Sequence, residues 1–238
     1  MSTFVVVHGA WGGAWSWNKF VVPLLRKQGH NVYAVTLTGL GERTHLAHPE
    51  ITHETHVQDV VNVLFYEDLN NVILAGHSYG GRVISGVADR MPERLVQLVY
   101  LDAAVPWLEG GQDEARRLER IAQAEREGTW RIPPGDMQAD DPEEIKRWAA
   151  PRRSGQPIKT FTEPVRLEHG PPALPKAFVY CAKGKAPDSA QAQRAVRIKS
   201  DPSWRYYELD TGHNLHYSAP QETVAILLEL AKEAAARG

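Results

Sequence analysis

Residues 71–81 read N-V-I-L-A-G-H-S-Y-G-G, an apolar run followed at once by the pattern Gly-x-Ser-x-Gly. The run predicts a buried strand, and the residues after it have the spacing of a helix over 79–90. A serine at so sharp a turn between strand and helix is held in a strained conformation with its hydroxyl raised above the sheet, and Gly76 and Gly80 remove collisions with neighbouring backbone. We therefore predict Ser78 to be a nucleophile.

The rest of the chain alternates strand and helix around this unit. Short apolar runs rich in branched residues predict about six strands, at 4–7, 32–35, 71–75, 95–101, 176–181 and 204–209. Helical spacing follows between them, at 16–28, 55–69, 79–90, 189–199 and 221–236. This alternation predicts an α/β fold with a mostly parallel sheet, helices on both faces, and loops available for chemistry at the carboxyl ends of the strands.

One long segment interrupts the alternation. Residues 106–175 have no convincing strand and carry two charged helical patterns, at 113–127 and 142–148, among prolines, glycines and tryptophans. Long insertions in α/β domains usually cover the edge of the sheet where the active site lies. We therefore predict one core, made of residues 1–105 and 176–238, and a helical lid at 106–175, with a merely decorative insertion as the alternative.

The composition narrows the class of function. The chain has 238 residues, of which 42% are hydrophobic and 24% charged, as in a single globular domain. Lys and Arg number 27 against 29 for Asp and Glu, so no strong field attracts nucleic acid or an anionic membrane. No apolar stretch approaches the roughly 18 residues of a membrane span, and no cleavable signal layout is visible. Cys181 is the single cysteine, which excludes an intrachain disulfide and favours a cytoplasmic location.

A serine hydroxyl needs a base that titrates near neutral pH, and histidine is the natural choice. Of the ten histidines, His213 follows the last predicted strand after a short loop and precedes the final helix, so we predict it to be the base. His216 is the alternative base. Two His-x-x-His pairs have no third ligand beside them, so we expect solvated side chains, no metal and no cofactor. The pairs are His45 with His48 and His53 with His56.

The negative charge that forms on a substrate carbonyl oxygen needs fixed N–H donors. We predict the backbone amides of Tyr79, next to the nucleophile, and of Ala10, after the first strand. Aromatic residues in these loops and in the predicted lid indicate an apolar pocket for an aryl or medium alkyl group. The predicted substrate-binding residues are Trp11, Trp107, Trp130, Trp148 and Phe161, with core packing as the alternative for each. Trp15 and Trp17 have helical spacing and are predicted to pack.

Together these motifs resemble the α/β-hydrolase family that includes plant salicylate-binding methylesterases, plant hydroxynitrile lyases and small bacterial carboxylesterases. The similar segments span nearly the whole chain in order: VHGA at 7–10, WSW at 15–17, LTGLGER at 37–43, GHSYGG at 76–81, LVYLDA at 98–103 and LDTGH at 209–213. The resemblance implies the α/β-hydrolase fold. It also implies a serine carboxylesterase that hydrolyses small apolar or aromatic esters through an acyl-enzyme.

Two other functions stay open. Hydroxynitrile lyases of this family place Thr or Asn where this chain has Gly9, and many place Lys where it has Asn214. This chain therefore lacks both side chains that assist the lyase reaction. A ligand receptor with vestigial hydrolysis would keep the pocket, but an intact serine, histidine and oxyanion hole argue against it. The expected partner is a small-molecule ester, and a homodimer is an assembly that the sequence leaves open.

The acid that completes the predicted triad has two candidates. In the family that this chain resembles, an aspartate usually follows the strand at 176–181, where this chain has Gly184. We predict Asp102, at the end of the strand 95–101, because some α/β-hydrolases take their acid from that earlier strand end. The alternative interpretation of Asp102 is that its carboxylate caps backbone N–H groups at the entrance to the lid. Asp188 is the alternative acid, or else the N-cap of the next helix.

Overall fold

The computed structural model describes residues 1–109, 111–139 and 141–237, without the side chains of 111–114 and 116. Within these ranges the strands are β1 (Thr3–Val7), β2 (Asn31–Val35), β3 (Val72–His77), β4 (Leu95–Leu101), β5 (Arg131–Ile132), β6 (Gln156–Pro157), β7 (Lys176–Cys181) and β8 (Trp204–Leu209). The helices are α1 (Trp15–Lys27), α2 (His53–Tyr66), α3 (Gly80–Arg90), α4 (Pro106–Glu109), α5 (Gly111–Glu127), α6 (Glu143–Ala149), α7 (Lys159–Thr162), α8 (Ala190–Lys199), α9 (Leu215–Ser218) and α10 (Pro220–Arg237). Short 3-10 turns lie at Gly41–Leu46, Pro92–Arg94 and Ala150–Arg152.

Six parallel strands form the central sheet in the order β2-β1-β3-β4-β7-β8. This confirms the predicted parallel α/β fold and its six strands. The central strand β3 runs two residues further than predicted, because Gly76 and His77 still pair with Tyr100 and Leu101 of β4. The carboxyl ends of β1, β3 and β4 therefore meet at one edge of the sheet, with Ser78 directly after the central strand.

Two apolar layers cover the sheet, and alternate residues of each strand enter opposite layers. In β1, Val5 and Val7 pack into the layer shared with α2, α3 and α8, whereas Phe4 and Val6 pack into the layer shared with α1 and α10. Burial on both faces explains why the strands are continuous apolar runs, since neither face needs polar side chains. Within the described ranges, no helix combines the length and the apolar character of a membrane span.

The segment between β4 and β7, residues 106–175, is here called the inserted segment. Its described part contains α4 to α7 and a short antiparallel pair in which Arg131 lies opposite Pro157. The prediction that this segment holds no strand is wrong, because a pair of two-residue strands is too short to show alternation. The Arg131 guanidinium also joins the two strands, because it donates to the Gly155 carbonyl at 2.9 and 3.1 Å.

Candidate active site

Ser78 lies in the turn between β3 and α3 with a φ angle of 52°, in the left-handed region that side-chain-bearing residues rarely adopt. A Cβ atom on Gly76 would approach a backbone oxygen to 2.6 Å, and one on Gly80 would approach another to 2.8 Å, so both glycines are sterically required. The Ser78 N–H donates to Leu101 at 3.2 Å, and the Ser78 carbonyl accepts from Ala104 at 3.0 Å. Neighbouring strand ends thus hold the strained turn in place.

The His213 ring lies between Ser78 and Asp102. Its Nε2 is 2.9 Å from the Ser78 Oγ, and its Nδ1 is 2.6 Å from the Asp102 Oδ2. An ionised carboxylate can only accept, so Nδ1 carries the proton and Nε2 is left to accept from the serine hydroxyl. This is the arrangement in which a histidine can take a proton from a serine as the oxygen attacks.

The Asp102 carboxylate is fully buried at the end of β4, and its φ angle of 46° turns the side chain toward His213. Besides His213, it accepts from the Lys185 ammonium at both oxygens and from the Cys181 N–H at 3.3 Å. Burial raises the pKa of Asp102, but the hydrogen bonds and charges of His213 and Lys185 outweigh it and bring the pKa to about 2. Asp102 is therefore ionised at neutral pH.

Asp188, the alternative acid, lies at the surface. Within the described part of the chain, its carboxylate has no hydrogen-bond partner. The N-cap of α8 is Ser189, whose hydroxyl accepts from the Ala192 N–H at 3.2 Å, so the prediction of Asp188 as the cap is wrong by one residue. The structure thus brings Asp102 to His213 and leaves Asp188 outside the site.

Ala10 and Tyr79, whose backbone amides are the predicted donors, line one cavity together with Ser78. Neither amide donates a hydrogen bond to any residue that the structure describes. The loop after β1 approaches the nucleophile closely, since a Cβ atom on Gly9 would meet the Ser78 Cβ at 3.1 Å and the His77 Nδ1 at 2.8 Å. Two unused N–H groups beside a nucleophile are what the predicted oxyanion hole requires.

The inserted segment holds the loop after β1 through Trp11, which has a strained φ angle of 61°. The Trp11 N–H donates to Gln156 Oε1 at 3.0 Å, its indole N–H donates to Ile132 at 3.0 Å, and its carbonyl accepts from Ser154 at 3.1 Å. Gln156 is completely buried and donates in turn to Thr160 at 2.8 Å. Nothing in the sequence predicts these contacts, because no local pattern links residues about 145 positions apart.

Two cavities flank Ser78, and both are lined by Ala10, Trp11, Ser78 and His213. The larger measures about 230 Å³ and the smaller about 90 Å³. Phe161 lines the larger one, 5.9 Å from Trp11 between ring centroids, so these two predicted substrate-binding residues lie at the site. The same wall is not purely apolar as expected, because it is also lined by Arg82, Arg117, Arg120 and Arg194.

Three predicted substrate-binding tryptophans line neither cavity. Trp107 stacks on Trp204 at 6.2 Å, the Trp130 ring faces the Arg131 guanidinium at 5.3 Å, and Trp148 packs edge-on against Trp15 at 5.1 Å. These are packing contacts, so the structure does not bring the three tryptophans to the cavities beside Ser78. Trp15, predicted only to pack, does line the smaller cavity.

His216, the alternative base, is buried against Trp17, with ring centroids 4.8 Å apart. Burial lowers the pKa of His216 well below its usual value, so the ring stays neutral. Among the described residues His216 has no hydrogen bond to Ser78, whose Oγ bonds His213 instead. The structure therefore gives His216 a packing position rather than that of a base.

The predicted solvation of the His-x-x-His pairs is wrong for one pair, since His53 and His56 are buried at the start of α2. Burial lowers the pKa of His53 to about 3 and that of His56 to about 4. The His56 Nε2–H donates to Thr38 at 3.0 Å, and its Nδ1 accepts from the Tyr79 hydroxyl at 2.9 Å. His56 thus supports the turn that carries Ser78. No cluster arranged to hold a metal ion occurs in the ranges that the structure describes.

A strained serine beside a histidine at the carboxyl edge of a parallel sheet defines the α/β hydrolases as a class. The model of the Alpha/beta hydrolase family matches residues 4–226, and the chain belongs to that family. A carbendazim hydrolyzing esterase of Nocardioides sp. (strain SG-4G) is 34% identical over 245 residues, spanning 97% of this chain and all of that relative. Methylesterase 1 of Arabidopsis thaliana is 37% identical over 105 residues, which is 43% of this chain and 40% of the relative.

Solved structures show the same fold. An extracellular alpha/beta-hydrolase from a Paenibacillus species, described as sharing structural and functional homology with tobacco salicylic acid binding protein 2, has a TM-score of 0.79 at 24% identity. The match covers 96% of this chain and 98% of that one. With named esterases among its sequence relatives, this member of the family is a carboxylic ester hydrolase.

Proposed function

We propose that this enzyme is a serine carboxylesterase that hydrolyses small esters through an acyl-enzyme formed on Ser78. The observation that carries the proposal is the continuous hydrogen-bond chain from Ser78 Oγ through His213 to Asp102, with distances of 2.9 and 2.6 Å. A neutral imidazole with a buried, ionised carboxylate on its far nitrogen is able to accept the serine proton and to stabilise the resulting imidazolium.

The reaction then follows from the positions of these groups. The Ser78 oxygen attacks the ester carbonyl while His213 takes its proton, and the N–H groups of Ala10 and Tyr79 stabilise the oxyanion. His213 gives the proton to the departing alkoxide, which leaves as the alcohol and keeps the acyl group on Ser78. Water repeats the cycle, with His213 as its base, and releases the carboxylic acid.

We place the apolar or aromatic part of the ester in the larger cavity, against Trp11 and Phe161. Tyr79 adds a third ring, 5.4 Å from Phe161 between centroids. The guanidinium of Arg120 lies 4.1 Å from the Phe161 centroid and covers part of this surface. A cavity of about 230 Å³ suits a small acyl or aryl group, and the inserted segment closes over it as a lid.

The two positions at which lyases of this family differ, Gly9 and Asn214, do not fit lyase chemistry here. Threonine or asparagine at Gly9 would collide with His77, whose Nδ1 lies 2.8 Å from the Cβ position. The Asn214 amide donates to Asp141 at 2.8 Å and supplies no cation beside His213. Cyanide release from mandelonitrile that exceeded hydrolysis of phenyl acetate at equal concentration would assign the lyase activity instead.

The test is nitrophenyl acetate hydrolysis by the wild type, Ser78→Ala and the exposed control Ser203→Ala. We expect Ser78→Ala to lose about 10³-fold or more in kcat while keeping its melting temperature, and Ser203→Ala to match the wild type. A fluorophosphonate should label the wild type and the control only. Turnover by Ser78→Ala within about tenfold of the wild type would overturn the proposal, and the absence of burst, turnover and labelling in the wild type would indicate a receptor.

A further inference from the structure

Lys185 lies in the loop after β7 and directs its ammonium group at the acid of the candidate site. Its Nζ contacts both carboxylate oxygens of Asp102, at 2.5 Å from Oδ2. Only 13% of the Lys185 side chain is exposed, and its Nζ is 4.6 Å from the centroid of the Tyr180 ring. An ammonium group withdrawn from water is stable only when it is paired, so this contact is a built feature of the site and not a surface ion pair.

The ammonium and the imidazole share one oxygen atom. His213 Nδ1 contacts Asp102 Oδ2 at 2.6 Å, and Lys185 Nζ contacts the same atom, so the two nitrogens lie within about 5 Å of each other. The Cys181 N–H donates to the other oxygen at 3.3 Å. With donors on both oxygens, the carboxylate has a single orientation, which is the one that faces the His213 ring.

The local backbone explains why this lysine reaches the site. Gly184 has a φ angle of 76°, and the Lys185 N–H donates to Ala182 at 3.3 Å, which closes a tight turn at the end of β7. The turn sends the Lys185 side chain back over the sheet edge toward Asp102. The loop thus supplies a cation to an acid that stands on β4, 83 positions earlier in the chain.

We propose that Lys185 is a positioning residue that fixes the Asp102 carboxylate in the orientation that faces His213. This inference depends on the proposed function, because Lys185 acts only through Asp102 and His213. Without the ammonium group, only the His213 ring and the Cys181 N–H would hold the carboxylate, so Lys185 acts on the reaction by keeping Asp102 turned toward His213.

Other titratable groups around this pair do not supply the same effect. Burial lowers the pKa of His77 to about 3 and lowers that of His216, so both rings are neutral over the working range. Burial raises the pKa of Tyr180 and of Tyr206, which are also neutral. The charged groups further out on the flanking elements include Arg194 of α8, which pairs with Glu109 of α4, and Glu208 of β8, which accepts from Tyr206 at 2.9 Å.

The test compares Lys185→Met, Lys185→Gln and Lys185→Arg with Lys183→Met, a control that removes the same charge from an exposed position in the same loop. We expect kcat to fall by about tenfold in Lys185→Met and Lys185→Gln, with a smaller change in KM, because the acid loses its fixed orientation. Lys185→Arg should recover most of this loss, and Lys183→Met should match the wild type. The Gln variant keeps a hydrogen-bond donor without the charge, so it provides the same test if the Met variant does not fold. Wild-type kcat in both neutral variants would overturn the proposal.

A double-mutant cycle tests whether Lys185 acts through Asp102. In an Asp102→Asn background, we expect Lys185→Gln to leave kcat/KM unchanged, whereas independent action would give additive effects and contradict the proposal. Activity of Ser78→Ala would refute the esterase mechanism, whereas additive effects in the cycle would refute the role of Lys185 alone.

Discussion

The Nε2–H of His77 donates a hydrogen bond of 2.8 Å to the main-chain carbonyl of His213, so the residue before the nucleophile holds the loop that carries the base. The two rings are 4.7 Å apart between centroids. Because His77 is in β3 and His213 follows β8, this bond connects the central strand to the loop that follows the edge strand. Ser78 and His213 are thereby positioned by the same side chain.

Replacing His77 by Leu should release the His213 loop and lower kcat by about 10- to 100-fold with a smaller change in KM, because misplacement of a base by about 1 Å is costly. His77→Gln retains an N–H donor and should recover part of the loss. Steady-state kinetics of both variants, beside the exposed control His48→Leu, provide the measurement. A His77→Leu enzyme with wild-type kcat would show that the loop needs no such support.

The amide variants of the two candidate acids should differ strongly. Asp102→Asn removes the charge that balances the imidazolium and favours the wrong imidazole tautomer, so we expect kcat/KM to fall by about 10⁴-fold. Asp188→Asn should lose less than about tenfold, since its carboxylate is at the surface. The opposite pattern, with the large defect in Asp188→Asn, would mean that the acid lies in the loop after β7.

The buried amide of Gln156 should matter for rate more than for binding. Gln156→Leu leaves the Trp11 N–H without its acceptor and relaxes the strained loop that carries the Ala10 amide, so we expect kcat to fall by about 10- to 100-fold. Gln123→Leu, an exposed change on α5 of the same segment, is the matched control. Equal kinetics for the two variants would indicate that the inserted segment does not hold the oxyanion loop.

The buried histidines predict acid-sensitive stability. Burial lowers the pKa of His8 and His56 to about 4, and that of His53 and His77 to about 3, against about 6.5 in the unfolded chain. Below about pH 6.5 the unfolded chain binds more protons than the folded one, by up to one per histidine. The free energy of unfolding should therefore be greatest above that pH. As the pH is lowered toward the folded pKa values, it should fall by up to about 1.4 kcal/mol per pH unit for each histidine.

Urea unfolding at about pH 7.5, 6 and 5 measures this dependence. His53→Leu should flatten the slope by the contribution of one proton, whereas the exposed control His45→Gln should leave it unchanged. A free energy of unfolding that is level from about pH 7 to 5 would contradict the neutral, buried state of these rings.

Local sequence patterns predict part of this fold and its candidate site, but not the contacts between distant segments. The strand, turn and helix around Ser78 could be predicted, because the apolar run, the glycines and the helical spacing are contiguous. Side-chain contacts between distant segments could not: Lys185 reaches Asp102 across 83 positions, and Trp107 turns toward Trp204 in the core. Strands β5 and β6 could not be predicted, because two residues are too few to show the alternation of apolar and polar side chains.

The most direct test of the central claim is the mass of the enzyme after rapid acid quenching during nitrophenyl acetate turnover. The account predicts a mass increase of one acetyl group, located on the peptide that contains Ser78 and absent from Ser78→Ala. Steady turnover with the unmodified mass throughout, or with the acetyl group on another residue, would contradict the acyl-enzyme on Ser78.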